Sequence, residues 1–254
     1  MCEPSSAVVA KSLTKRYGTT TAVNELDLSI EHGDIYGFLG PNGAGKTTTM
    51  RIFTGLIEPS GGEARVAGVP CVDRRALVEH IGLMPETPPL YDQLTGREQL
   101  QFAADLRNVP WDAVVDTALS LCASLGLRAD LDRRIDGYSK GMRQKLSFIQ
   151  SVQHDPAVVF LDEPTSGLDP RAAKTLRELI TDLADGDTTV LISTHILPVV
   201  EDIADMVGVL HDGQLAAEGS PAELRSAAER TEGDGADLED AFLALTTDGD
   251  TAWV

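Results

Sequence analysis

The 254-residue chain reads as an α/β sheet domain carrying a helical insertion. Two patterns predict this. Both ends of the chain alternate short apolar runs with turn signals, whereas residues 95–153 space their apolar side chains as helices do. Apolar residues also make up 42% of the chain, enough for a real core and against global disorder. At roughly 150 residues per domain, the length allows one large domain or two small ones.

Taken in order, Ala7-Val8-Val9-Ala10 is the first apolar run, and Leu26-Asp27-Leu28-Ser29-Ile30 has the strict alternation of a half-buried strand. Residues 34–39 are nearly continuously apolar, as a central strand requires. A glycine-rich turn and a helix over 47–56 come next, stopped by Pro59-Ser60-Gly61-Gly62. In the insertion, Leu100, Ala103, Ala104 and Leu106 suit one helix. Val114, Val115, Ala118, Leu119, Cys122 and Leu125 suit a second, which starts behind Pro110-Trp111-Asp112 and ends at Gly126. Strands return at 157–161 and 188–192 with a helix over 171–183 between them, and a hairpin turns at Asp212-Gly213. Residues 229–250 hold eight acids and one Arg, yet Leu238, Ala241, Phe242 and Leu245 keep helical spacing. The expectation for 229–254 is an acidic linker leading into a short docking helix.

The net charge is −19, with 15 Arg, only 6 Lys and 24 Asp. Such a balance argues against a general nucleic-acid binder, whose phosphate contacts need basic residues, and against a basic membrane-surface protein. It suits a salt-rich, halophile cytosol, where screening shortens the reach of self-repulsion; an acidic tail plus ordinary drift is the alternative. Cys2, Cys71 and Cys122 form no CxxC pair, so a reducing compartment is expected. No run approaches the ~18 apolar residues of a membrane span, and Met1-Cys2-Glu3-Pro4 lacks a signal-peptide pattern.

Gly40-Pro41-Asn42-Gly43-Ala44-Gly45-Lys46-Thr47 matches G-x-x-x-x-G-K-[ST] between a predicted strand and a predicted helix, the context the phosphate-loop motif requires. Glycines let backbone N–H groups turn inward as an anion nest, and the helix N-terminus adds positive dipole. Lys46 supplies charge to the outer phosphates, and the Thr47 hydroxyl suits Mg²⁺. Asp162 and Glu163 come after an apolar strand at its C-terminal end, the edge where open parallel sheets bind ligands. Asp162 suits the Mg²⁺ shell and Glu163 the activation of a water. His195 ends the next strand on the same edge. Either acid, or the histidine, would be an ordinary surface residue if it stood alone.

In these motifs and their order, residues 7–225 resemble the nucleotide-binding subunits of ABC transporters. The resemblance implies an α/β fold of the P-loop NTPase type: a RecA-like core with an antiparallel β subdomain and an inserted helical subdomain. Residues 1–85 and 155–228 would form the core and 86–154 the helical signature subdomain. It further implies an adenine platform at Tyr17, ATP contacts along 40–48 including Thr48, and a D-loop at Ser166-Gly167-Leu168-Asp169. His195 falls at the switch-histidine position. Tyr138-Ser139-Lys140-Gly141-Met142-Arg143-Gln144 occupies the place of the signature, usually Leu-Ser-Gly-Gly-Gln. This form looks like the branch that partners ABC-2-type export permeases. Ser139 and Gly141 would then complete a second subunit's ATP site. Glu86 aligns with the glutamine that contacts Mg²⁺ and links site to permease; a carboxylate can ligate the metal but cannot donate a hydrogen bond. The resemblance thus implies an exporter ATPase subunit using ATP and Mg²⁺, on the inner face of the cell membrane through a separately encoded permease. A soluble ABC ATPase without a membrane partner, and a degenerate nucleotide-binding scaffold, are the competing readings.

Overall fold

The computed structural model describes residues 6–232. Residues 1–5, with Cys2, and most of the acidic stretch fall outside them. Two sheets organise the fold. β1 (Val8–Tyr17), β2 (Thr20–Ile30), β4 (Gly61–Val66) and β5 (Val69–Pro70) form an antiparallel sheet in the order β2-β1-β4-β5. β3 (Ile35–Leu39), β6 (Ile81–Met84), β7 (Val158–Asp162), β8 (Thr189–Ser193), β9 (Met206–His211) and β10 (Gln214–Gly219) form the central sheet, ordered β10-β9-β3-β8-β7-β6. Its strands are parallel except β10, which returns from β9 through Asp212 and Gly213. Both turn residues have positive φ (47° and 78°), as the tight hairpin demands.

Burial matches the sequence pattern. β2 alternates, with Leu26, Leu28 and Ile30 inside and Asp27 and Ser29 out, because one face of the antiparallel sheet meets solvent. Every residue of β3, β7 and β8 is buried, since helices or the second sheet cover both faces. One apolar cluster fills the space between the sheets around α1 (Lys46–Phe53), with Phe38, Ile52, Phe53 and Phe160 at its centre. A second lies on the opposite face, under α3 (Gly96–Leu106), α4 (Trp111–Ser124), α5 (Lys140–Val152) and α6 (Pro170–Asp185). The helical insertion thus shares one core with β7 and β8. α5 lies so close to β6 that any side chain at Gly82 would strike the Ser151 carbonyl. α2 (Arg74–Leu77), α7 (Leu197–Ile203) and α8 (Pro221–Glu232) complete the described elements.

Two expectations need correction. Leu106 does not share the buried face of Leu100, Ala103 and Ala104; it is 67% exposed. Two residues beyond Ala104 amount to about 200° of helical rotation, which turns Leu106 to the far side. The acidic linker does not begin at 229, because α8 runs on to Glu232. Ser220 and Glu223 cap its start reciprocally, and no Gly or Pro interrupts it before Gly233. Residues 61–62, read only as a helix stop, also open β4.

Candidate active site

The loop from Gly40 to Gly45 leaves β3 and enters α1. Gly43 (φ 90°) and Gly45 (φ 107°) hold left-handed backbone, and a Cβ on Gly45 would collide with the Ala22 carbonyl of β2. No side chain caps the α1 N-terminus, so its first amides are available to an anion. Lys46, 7% exposed, folds its ammonium back onto the loop and donates to the Gly40 carbonyl (2.5 Å) and the Pro41 carbonyl (3.1 Å). Burial lowers its pKa, while the carboxylates of Glu163 and Asp162 pull it upward.

β7 delivers the two acids. Asp162 is 6% exposed and accepts a hydrogen bond from the Thr47 hydroxyl at 3.3 Å. Burial raises its pKa, the Thr47 hydroxyl opposes that, and the nearby charges of Glu86 and Glu163 add to the rise. Glu163 leaves the strand with φ 50°, a left-handed conformation that costs a residue with a Cβ about 1 kcal/mol or more. Its backbone N–H donates to the Ser193 carbonyl of β8 (2.8 Å), and its own carbonyl accepts from Gln144 Nε2 (3.0 Å) and Ser166 N–H (3.1 Å). The carboxylate accepts from the Thr194 hydroxyl (2.9 Å), His195 N–H (3.1 Å) and His195 Nδ1 (2.6 Å). Nδ1 therefore carries the proton in this contact, leaving Nε2 of the exposed imidazole turned elsewhere.

These groups surround a cleft of about 250 Å³ lined by Ala22, Asn42, Gly43, Gly45, Lys46, Thr47, Thr48, Glu86, Asp162, Glu163, Ser166, Ser193 and His195. Gly40, Pro41 and Ala44 build the loop beneath it, the first two through the carbonyls that hold Lys46. Besides these three, four predicted residues do not line the cleft. Tyr17 sits half-exposed at the end of β1, its ring 5.2 Å from the Lys15 ammonium. Ser139 caps α5 by accepting from Met142 N–H (3.2 Å). Gly141 faces the Gly167 carbonyl. Asp169 caps α6, accepting from Arg171 and Ala172 N–H, and these amide bonds hold its carboxyl below its usual range.

The family described as "ABC transporter" matches residues 23–166, more than half of the chain. The chain belongs to that family. The bacitracin transport ATP-binding protein BcrA of Bacillus licheniformis is 38% identical over 84% of this chain and 70% of its own length. The daunorubicin/doxorubicin resistance ATP-binding protein DrrA of Streptomyces peucetius is 38% identical over 88% of this chain and 68% of its own. A solved ATP-binding subunit of an ABC transporter superposes with a TM-score of 0.87 at 29% identity, covering 94% of this chain and 99% of that one. The protein is an ATP-binding, ATP-hydrolysing subunit of this family.

Sequence reasoning missed several parts of this ABC ATPase site. Ala22 reaches the cleft only because β2 crosses beneath the loop. Thr194 stands beside His195 in the chain, so a strand end delivering two polar residues together could have flagged it. Gln144 closes the recognised signature segment, but its bond to Glu163 spans 19 residues and no spacing rule foresees it. Among the described residues, no three His, Cys, Asp or Glu side chains gather as a metal-ligating cluster. Thr47, Asp162 and Glu86 line the cleft together, each with side-chain oxygen.

Proposed function

We propose that the protein is the ATPase subunit of an exporter, working on the cytoplasmic face of the membrane through a separately encoded permease. Export of drug-like or antibiotic molecules is the reading that its bacitracin- and daunorubicin-associated relatives support. It is also why a soluble ABC ATPase without a permease is not favoured. Among the described residues no helix is long and apolar enough to cross a membrane.

The observation that carries the catalytic reading is the Glu163 carboxylate, held by Thr194 and His195 at the edge of a cleft whose other wall is Lys46 and the Thr47–Asp162 pair. The loop 40–48 wraps phosphates with backbone N–H groups, and Lys46 exchanges its carbonyl partners for phosphate oxygens. Thr47, Asp162 and Glu86 would hold Mg²⁺, which would supply charge neutralisation on the outer phosphates. Glu163 accepts a proton from the attacking water, and His195 and Thr194 keep its oxygens aimed. Tyr17 offers a ring to the adenine from the hairpin that carries Ala22. Ser139, Gly141 and Asp169, all off the cleft, serve a second subunit's nucleotide in an ATP-dependent dimer. Residues 86–154 act as the signature subdomain and the remainder of 1–228 as the core. The acidic surface reflects salt adaptation.

Glu163→Gln tests this reading. A general base is worth ~10²–10⁴-fold, so phosphate release falls by that range while ATP still binds. With cleavage blocked, size-exclusion chromatography shows a dimer in the presence of MgATP and a monomer without it. Near-wild-type hydrolysis removes Glu163 from catalysis; slow hydrolysis with no dimer removes Ser139 and Gly141 from the partner's site.

A further inference from the structure

The signature segment and the catalytic turn of the same chain are joined. Lys140, just after Ser139 in the segment, donates from Nζ to Ser166 Oγ at 3.1 Å. Its aliphatic stem lies on Gly167, whose φ of 77° and lack of a Cβ make room for it; a Cβ there would meet the Lys140 Cγ, Cδ and Cε atoms within 3.0 Å. Gly141 lies close to the Gly167 carbonyl, which a Cβ on Gly141 would meet at 3.0 Å. One turn further along α5, Gln144, 1% exposed, donates to the Glu163 carbonyl, which also receives Ser166 N–H. Thus α5 grips both ends of the turn 163–167, and that turn contains the positive-φ Glu163.

Resting on the reading of a paired ATPase, but going beyond it, we propose that Lys140 and Gln144 form a strap acting within one chain. The strap holds Glu163 in its strained, productive conformation. The residues beside Ser139 and Gly141, which face a partner's nucleotide, thereby set the turnover of their own chain's site. Strain at Glu163 persists only where surrounding contacts over-determine it, and these are contacts from outside its own strand. Neither Lys140 nor Gln144 lines the cleft, so both are positioning residues: they change turnover, not nucleotide affinity. Because Ser166 lies at the cleft and on the strap at once, occupancy of one site is felt at the other, and hydrolysis is cooperative in ATP.

Lys140→Met keeps the stem on Gly167 and removes the ammonium at an exposed position, so it folds. The strap predicts a three- to ten-fold lower kcat, a KM for ATP within two-fold of wild type, a Hill coefficient nearer one, and recovery in Lys140→Arg. Gln144→Glu, isosteric but unable to donate, gives the same split more strongly. Mixed dimers, purified through two different tags, separate action within a chain from action across the dimer. A Lys140→Met chain paired with a Glu163→Gln chain places the defect beside the only working Glu163, and hydrolysis falls below the wild type/Glu163→Gln control. Moving Lys140→Met onto the Glu163→Gln chain leaves the control rate unchanged. An unchanged rate in the first pairing, or a fall in the second as large as in the first, overturns the strap. A wild-type chain that neither pairs nor hydrolyses MgATP overturns the underlying reading instead.

Discussion

Lys46 carries opposed electrostatic demands. Burial works against its charge and two carboxylates favour it, while two loop carbonyls occupy its ammonium. Removing it leaves Asp162, Glu163 and Glu86 in a cleft whose lining holds no other Lys or Arg. Lys46→Ala is therefore expected to abolish hydrolysis and weaken MgATP binding strongly, as nucleotide titration and phosphate release will check; undiminished turnover would refute the phosphate-loop assignment. Tyr17 makes a subtler case. Its ring already has a partner in Lys15, so stacking on adenine must displace or share that cation. Tyr17→Ala should weaken ATP binding by about 1–3 kcal/mol if the ring stacks as aromatic residues stack on bases elsewhere, and unchanged affinity returns Tyr17 to the surface. The loop was legible because the chemistry fixes its residue types and spacing, and both acids and His195 because predicted strands end at them on one sheet edge. Gln144 and Thr194 were not, since what makes them part of the site is a contact closed only by folding.

At the scale of elements, the strand ends were predictable and the seams between elements were not. An apolar run buried on both faces has one way to sit in a parallel sheet, so β3, β7 and β8 could be read directly, and with them the edge that carries the site. Leu106 was misplaced on the buried face although helical rotation alone turns it outward. The seam between α5 and β6 carries a consequence for stability. His154, just past the C-terminus of α5, is largely buried, with Nε2 on the Ile81 carbonyl at 3.1 Å. Burial, with Arg107 nearby, pulls its pKa down to about 4. An imidazole depressed from 6.5 in the unfolded chain to about 4 in the folded one stays neutral in the fold over that interval but takes a proton when unfolded. Stability is thus complete above pH ~6.5 and lost as pH falls towards 4, by an amount on the order of 3 kcal/mol at the bottom. His154→Gln, which cannot titrate, should flatten urea midpoints between pH 6.5 and 4 relative to wild type. Parallel slopes would place the acid sensitivity in other groups.

Across the whole molecule, attraction at the site and repulsion at the surface answer salt in opposite directions. Seven acids and no basic residue lie outside residues 6–232, so the described part keeps 33 acids against 21 bases, a balance of −12. An acidic tail alone does not account for the charge. The ion pairs offsetting it are mostly exposed, such as Arg97–Asp132, Arg134–Asp136 and Lys174–Glu178, and exposed pairs are worth only ~0–1 kcal/mol each. Screening therefore removes little attraction, while it relieves repulsion distributed over the entire surface; at molar salt the Debye length is only about 3 Å. The melting temperature should rise from low salt to molar KCl, most steeply where the screening length first drops below the spacing of surface carboxylates. Binding of ATP should weaken over the same range, because Lys46 and the loop amides attract a polyanion that salt screens as well. Thermal unfolding and nucleotide titration in one KCl series test both arms. A melting temperature flat across the series would mean that the negative surface exerts no net strain on the fold, and the salt-adaptation reading would fall with it.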